Sequence, residues 1–179
     1  MCIRDSTQSV RREPPRGPSR TVHLHMKEAH TVRSISADLT VPRRVRVTGP
    51  HRSGLLCGSS PAHVRLARQW AQAASGRGPG QACDLSLVVS ELVSNALRHT
   101  RSGEPGGTVR VEVERLECGF VVAVTDAGPP PEVGAMPFPH TDAGCAGLGL
   151  RVVEALSVCW DWYGNAGQPL TVRALLYEG

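Results

Sequence analysis

The sequence is poor in rings: Phe, Trp and Tyr make up 4% of its 179 residues, against a hydrophobic share of 40%. A core built from this chain therefore rests mainly on Leu, Val and Ala. It contains no apolar run near the roughly 18 residues that a membrane span needs, and its N-terminus lacks a hydrophobic signal core. Its six cysteines, Cys2, Cys57, Cys83, Cys118, Cys145 and Cys159, form no C-x-x-C pair and no short Cys/His spacing. That argues against a zinc site and for free thiols in a reducing cytoplasm, with no membrane as partner. Two phosphate-binding motifs are missing as well. There is no G-x-x-x-x-G-K-[ST], and no Gly-rich turn between an early strand and helix with an acidic residue about 20 positions on, which sets aside P-loop and Rossmann readings.

What charge there is lies unevenly. Residues 1–53 hold 11 Lys+Arg against 4 Asp+Glu, while residues 54–179 hold 9 against 12, so the formal net charge of +4 comes from the leader. Residues 1–36 are polar and basic, with Arg11, Arg12, Arg16 and Arg20 scattered among prolines and no helix or strand period, which predicts a disordered basic leader. Its opening, Met1 to Ser6, joins abruptly to the residues after it, as a non-native start would, and is excluded from fold reasoning. A tail of this kind can touch nucleic acid, but a solvated leader is the plainer reading, and nucleic acid is not the expected partner. Residues 37–179 have the length of one domain.

Within that domain the pattern alternates between the two periods. Short strands are expected around Val45–Val47 and Leu55–Leu56, then a helix from Ser59 or Ser60 to about Ala74, closed by the Gly76–Gly80 stretch. A second helix spans about residues 82–99, with Leu85, Val88, Val89, Leu92, Val93 and Ala96 giving a broad apolar face. After a loop at Gly103–Gly107, residues 109–113 and 120–124 read as two antiparallel strands, the second more apolar and so more central. Residues 127–146 have many breakers and little period, which predicts a functional lid. A third helix from about Leu148 to Leu156 and strands near 158–163 and 169–177 complete the chain.

Three boxes carry chemistry. In Ser90-Glu91-Leu92-Val93-Ser94-Asn95-Ala96-Leu97-Arg98-His99, Glu91 and Asn95 stand four apart, so both project from one side of the second helix. An amide oxygen is a neutral hard ligand suited to a Mg²⁺ that keeps phosphate oxygens and waters, and a carboxylate one turn earlier can accept a proton from a hydroxyl. Alone, the pair reads as readily as the solvated stripe of an amphipathic helix. Val124-Thr125-Asp126-Ala127-Gly128 ends a buried strand: a carboxylate there can accept from an exocyclic amino group, and Gly128 lets a planar base approach the backbone, although Asp and Gly also mark ordinary turns. Gly144-Cys145-Ala146-Gly147-Leu148-Gly149-Leu150 is a Gly-rich turn opening a helix, where free N–H groups and the helix dipole favour phosphate, or where a flexible loop simply meets a helix start.

Taken together, and in this order, Glu91–Asn95, Asp126–Gly128 and Gly147-Leu148-Gly149-Leu150 resemble the N box and glycine boxes of the GHKL, or histidine-kinase-like, ATPase superfamily. The Ser90–His99 segment and Gly167-Gln168-Pro169-Leu170-Thr171-Val172 are similar to the small anti-sigma-factor-like serine/threonine kinases and ATP-binding regulators of actinobacteria. The resemblance spans about residues 55–177. It implies an α/β two-layer sandwich of the Bergerat type, a mixed β-sheet covered on one face by helices, with ATP and Mg²⁺ as cofactors. It further implies Glu91 as general base, Asn95 as Mg²⁺ ligand, and Asp126 and Gly128 at the adenine. Gly144, Gly147, Leu148 and Gly149 would lie at the phosphates, and Thr171 at the base end. Two positions depart from the pattern: Cys145 stands where a phosphate-box glycine is usual, and Gln168 where Lys is common.

The expected function is then Mg·ATP-dependent phosphorylation of a Ser or Thr on a small antagonist protein, with a sigma factor or its antagonist as partner. Dimers, common in the family, make a homodimer the corresponding expectation. A module that binds ATP to switch a partner surface without phosphotransfer is the alternative. A full sensor histidine kinase is not expected, because the stretch ahead of the ATP boxes is short and Pro-rich.

Overall fold

The computed structural model describes residues 39–78, 80, 82–130, 148–165 and 167–177. The leader, most of the expected lid, and Gly144, Cys145 and Gly147 of the third box lie outside the described residues. Six strands, β1 (Arg43–Val45), β2 (Arg52–Gly58), β3 (Thr108–Leu116), β4 (Gly119–Thr125), β5 (Cys159–Gly164) and β6 (Leu170–Tyr177), join in the order β1-β2-β3-β4-β6-β5. Three helices, α1 (Ala62–Ser75), α2 (Cys83–His99) and α3 (Leu148–Leu156), form the second layer.

The two-layer α/β sandwich expected from the sequence is the architecture observed. One detail differs: all five strand pairings are antiparallel, so the sheet is not mixed among the described residues. The reason lies in the connections. Between β2 and β3 the chain makes two helices, α1 out and α2 back, and so returns to the end it left. The crossover that includes α3 does yield parallel strands, β4 and β5, as such a unit should. But β6 enters between them and pairs antiparallel with each.

Alternation fixes which face the helices cover. In β3, Val109, Val111 and Val113 are fully buried, while Arg110, Glu112 and Glu114 take the other face. There Glu112 receives Arg52 Nη2 at 2.8 Å and Arg110 Nε at 2.6 Å. In β4, Phe120, Val122 and Val124 join Leu85, Val88, Val89, Leu92 and Val93 of α2 in the core. Helix α2 is the hub, packed against α1, α3 and the sheet.

The helix ends follow local chemistry. Pro61 precedes α1, where its fixed φ suits a first turn, and Gly76 at φ +69° closes it in a left-handed cap. Asp84 in the first turn of α2 and Arg98 and His99 in the last complement the helix dipole. The one buried imidazole among the described residues, His63, ties α1 to the sheet edge: its Nδ1 accepts from Gly58 N at 2.9 Å and its Nε2 faces Thr40 O at 3.2 Å. That pattern selects the tautomer with the proton on Nε2. No helix among the described residues is long and apolar enough to cross a membrane.

Candidate functional site

Because Leu85, Val88, Val89, Leu92, Val93 and Ala96 hold α2 to the core, Glu91 and Asn95 fall on one half-buried flank of that helix, with His99 exposed beyond them. The first turn of α3 lies against that flank. A methyl group on Gly149 would stand 2.8 Å from Glu91 Oε2 and 3.2 Å from both Oδ1 and Nδ2 of Asn95. Two boxes more than fifty residues apart in the chain thus meet, and a glycine lets them approach this closely. The N–H groups at the start of a helix have no partner within it, so α3 brings that end of its backbone beside an amide and a carboxylate. Leu148, beside Gly149, is exposed at 58% and turns its side chain outward.

The second box sits at the end of β4. Asp126 N donates to Leu170 O at 2.9 Å, and Asp126 Oδ1 accepts from Leu170 N at 3.1 Å and from Gly128 N at 2.7 Å. Both structural bonds fall on one carboxylate oxygen. Among the described residues Oδ2 receives no hydrogen bond and remains an acceptor. Burial pushes the Asp126 carboxyl above the ordinary aspartate range, and the two backbone N–H bonds pull it only part of the way back. Gly128 adopts φ +81°, and a Cβ there would lie 2.7 Å from Gln168 O. Its need for glycine is therefore met already by the protein's own backbone.

Thr171, expected at the base end, lies on β6 directly opposite Thr125, the residue before Asp126. Its hydroxyl lies 2.8 Å from Thr125 Oγ1, and strand alternation puts both on the sheet face away from the helices. Its neighbour Leu170 bonds Asp126, so Thr171 stands beside the second box.

Two residues of this region carry no mark in the sequence pattern. The chain leaving α2 makes a 3₁₀ turn, Arg101–Gly103, that runs into the loop expected at Gly103–Gly107. From it Arg101 N donates to Gly128 O at 2.9 Å, Arg101 Nη2 donates to Ala127 O at 2.8 Å, and Ser102 Oγ accepts from Ala127 N at 2.8 Å. A local signal for the turn does exist: Thr100 caps it by accepting from Ser102 N at 3.1 Å, as a Thr two residues before a Ser–Gly step can. Nothing in that signal says that the turn lands on residues 127 and 128.

The geometry therefore brings box one to box three at Gly149, and box two to the end of α2 through Arg101. A family model for the histidine kinase-like ATPase domain matches residues 57–173, well over half of the chain. The chain belongs to the histidine kinase-like ATPase family. No curated protein matches it. An ATPase domain binds ATP, and the residues suit that ligand. At Gly149 the lack of a side chain lets the first turn of α3 lie directly against Glu91 and Asn95, which sets a helix start beside that pair, and the unused Asp126 Oδ2 suits the amino group of adenine. Among the described residues no group of three His, Cys, Asp or Glu side chains could hold a metal ion. A Mg²⁺ bound through Asn95 would instead take most of its ligands from phosphate oxygens and water, the usual arrangement for that ion.

Proposed function

We propose that this ATPase-family domain is a cytoplasmic protein serine/threonine kinase of the anti-sigma-factor type, acting on a small antagonist protein. The observation that carries the reading is Gly149: its backbone lies against Glu91 and Asn95 together, so a carboxylate, an amide and a helix start are brought side by side. Beside them Asn95 would hold Mg²⁺, which when bound neutralises charge on the phosphates. Asp126 would receive the adenine amino group through Oδ2, fixing the other end of the nucleotide.

The partner's Ser or Thr hydroxyl oxygen attacks the γ-phosphorus as its proton passes to Glu91. The bond from phosphorus to the β–γ bridging oxygen breaks, and ADP leaves with that electron pair. Glu91 suits the task because it is only half-buried and lies on the same side as Asn95, open to an incoming hydroxyl. Replacing it tests the role directly. Glu91→Ala should keep ATP affinity within about threefold, since the carboxylate binds no part of the nucleotide in this scheme, while phosphate transfer from labelled ATP to candidate antagonists falls by on the order of 10²-fold or more. Transfer that survives unchanged would remove the general-base assignment and favour the module that uses ATP only to switch a partner surface.

A further inference from the structure

We infer that Arg101 and Ser102 form a positioning bracket that holds the adenine-recognising turn at a fixed distance from the metal-binding end of α2. The bracket can be traced bond by bond. Ala96, the residue after Asn95, accepts at its carbonyl from Thr100 Oγ1 at 2.6 Å, and Thr100 Oγ1 in turn accepts from Ser102 N at 3.1 Å. Ser102, fully buried, donates from Oγ to Thr108 O at 2.7 Å and accepts from Ala127 N at 2.8 Å. Arg101 holds the next two carbonyls, Ala127 O by its guanidinium and Gly128 O by its main chain. Every main-chain polar group of residues 127 and 128 is thereby engaged, since Gly128 N is taken by Asp126 itself.

Two glycines allow this closeness. A Cβ at Gly103 would overlap the carbonyl of Leu97, and one at Gly107 would overlap the carbonyls of Arg101 and Ser102. The Arg101 side chain is also an expensive way to make one hydrogen bond, because its Nε is buried without an acceptor among the described residues. A buried donor left unsatisfied costs stability. A group kept at such a cost is better explained by what it positions than by what it stabilises. Asp126 Oδ2 can meet an exocyclic amino group only if the turn beyond it stays where Arg101 and Ser102 hold it. The two are positioning residues: they touch the turn and not the nucleotide.

This rests on the reading that Asp126 recognises adenine, and the experiment separates the two. Binding of ATP and of ITP, whose base carries a carbonyl where adenine has its amino group, is measured by calorimetry with Mg²⁺ on the full chain. The variants are Arg101→Met, Arg101→Lys and Ser102→Ala, each with its melting temperature. The wild type should prefer ATP. Arg101→Met and Ser102→Ala should weaken ATP roughly tenfold, as loss of a well-placed hydrogen bond would, with ITP little changed. Arg101→Lys, which keeps a donor for Ala127 O, should restore most of the preference. A wild type that binds ATP and ITP equally would remove the adenine reading itself. A wild type that discriminates, with Arg101→Met keeping the full preference or losing both nucleotides in parallel, would overturn the bracket; the Arg101 variants decide this even if Ser102→Ala fails to fold.

Discussion

Gly149→Ala is the substitution whose consequences the geometry defines most sharply. A methyl there meets Glu91 Oε2 at 2.8 Å and the Asn95 amide at 3.2 Å. The first contact is with the end of a flexible chain, which can turn aside; the second requires a shift of a few tenths of an ångström. Displacing two side chains from their rotamers costs about 0.5–1.5 kcal/mol each. Against this, Gly→Ala inside a helix contributes about 1 kcal/mol in the other direction. The balance is a loss of about 0–2 kcal/mol, so the melting temperature should fall by no more than about 8 °C for a domain of this size. Binding has no such offset. The methyl pushes the first turn of α3 away from the Glu91–Asn95 pair, and losing one charge-assisted bond from the helix start to phosphate costs about 1.5–3 kcal/mol, or roughly 10- to 150-fold in Kd. Calorimetric titration with Mg·ATP beside a thermal melt reads both quantities. A folded Gly149→Ala protein that binds ATP like the wild type would refute the claim that this close contact sets the phosphate site.

Other consequences are as direct. Asp126→Asn keeps an oxygen for Gly128 N and Leu170 N but can present an amide N–H₂ where Oδ2 was, so ATP should weaken by at least about tenfold while ITP gains relative to it in competition binding. Burial raises the Asp126 carboxyl in the folded state, so its ionised form opposes folding at neutral pH, and the penalty lifts as pH falls through the raised value toward the ordinary one. Asp126→Asn should therefore melt no lower than the wild type at pH 7, and its stability should lack that rise on acidification. His63→Ala removes a fully buried ring and its two polar contacts, which should cost about 2–4 kcal/mol in denaturant unfolding and leave the ATP affinity of the folded protein unchanged. The Cys57 thiol is buried in the core and pushed up to about 12, whereas Cys83, Cys118 and Cys159 are exposed. Alkylation at pH 8 should label those three and spare Cys57 until the protein unfolds, as peptide mass mapping would reveal.

How much of the fold is legible in the sequence depends on the range of the forces involved. The helices are legible to within a residue or two, because Leu85 to Ala96 repeat with a helical period and Gly76 stops α1. The strands are legible because Val109, Val111 and Val113 alternate with charges. The antiparallel pairing of β3 with β4 is legible as well, but the strand order at the other edge is not, since it depends on where β6 inserts, a choice made by the whole sheet and not by any local pattern. At the site, Glu91 with Asn95, and Asp126 with Gly128, stand out because each pair lies within one turn of its own element. The meeting of Gly149 with Glu91, and of Arg101 with Ala127, is not legible, because contacts across so many residues leave no periodic trace in a single chain. The face on which Thr171 lies depends on its register with Thr125, which only the assembled sheet supplies.

Asp126 also shows why the base end is better evidence of function than its residue types alone suggest. A carboxylate serving only as a turn former would do best exposed, where its charge is solvated at little cost. Here it is partly buried, its carboxyl is raised despite two N–H donors, and both of those donors crowd onto Oδ1. The arrangement gives up stability to leave Oδ2 as an acceptor in a partly desolvated place, where a hydrogen bond from a ligand counts for more than it would in water. Asn would satisfy the same two backbone donors without the charge. What only Asp adds is a second acceptor, the one the proposed adenine contact would use, and Arg101 and Ser102 secure the turn beyond it by binding the main chain of Ala127 and Gly128.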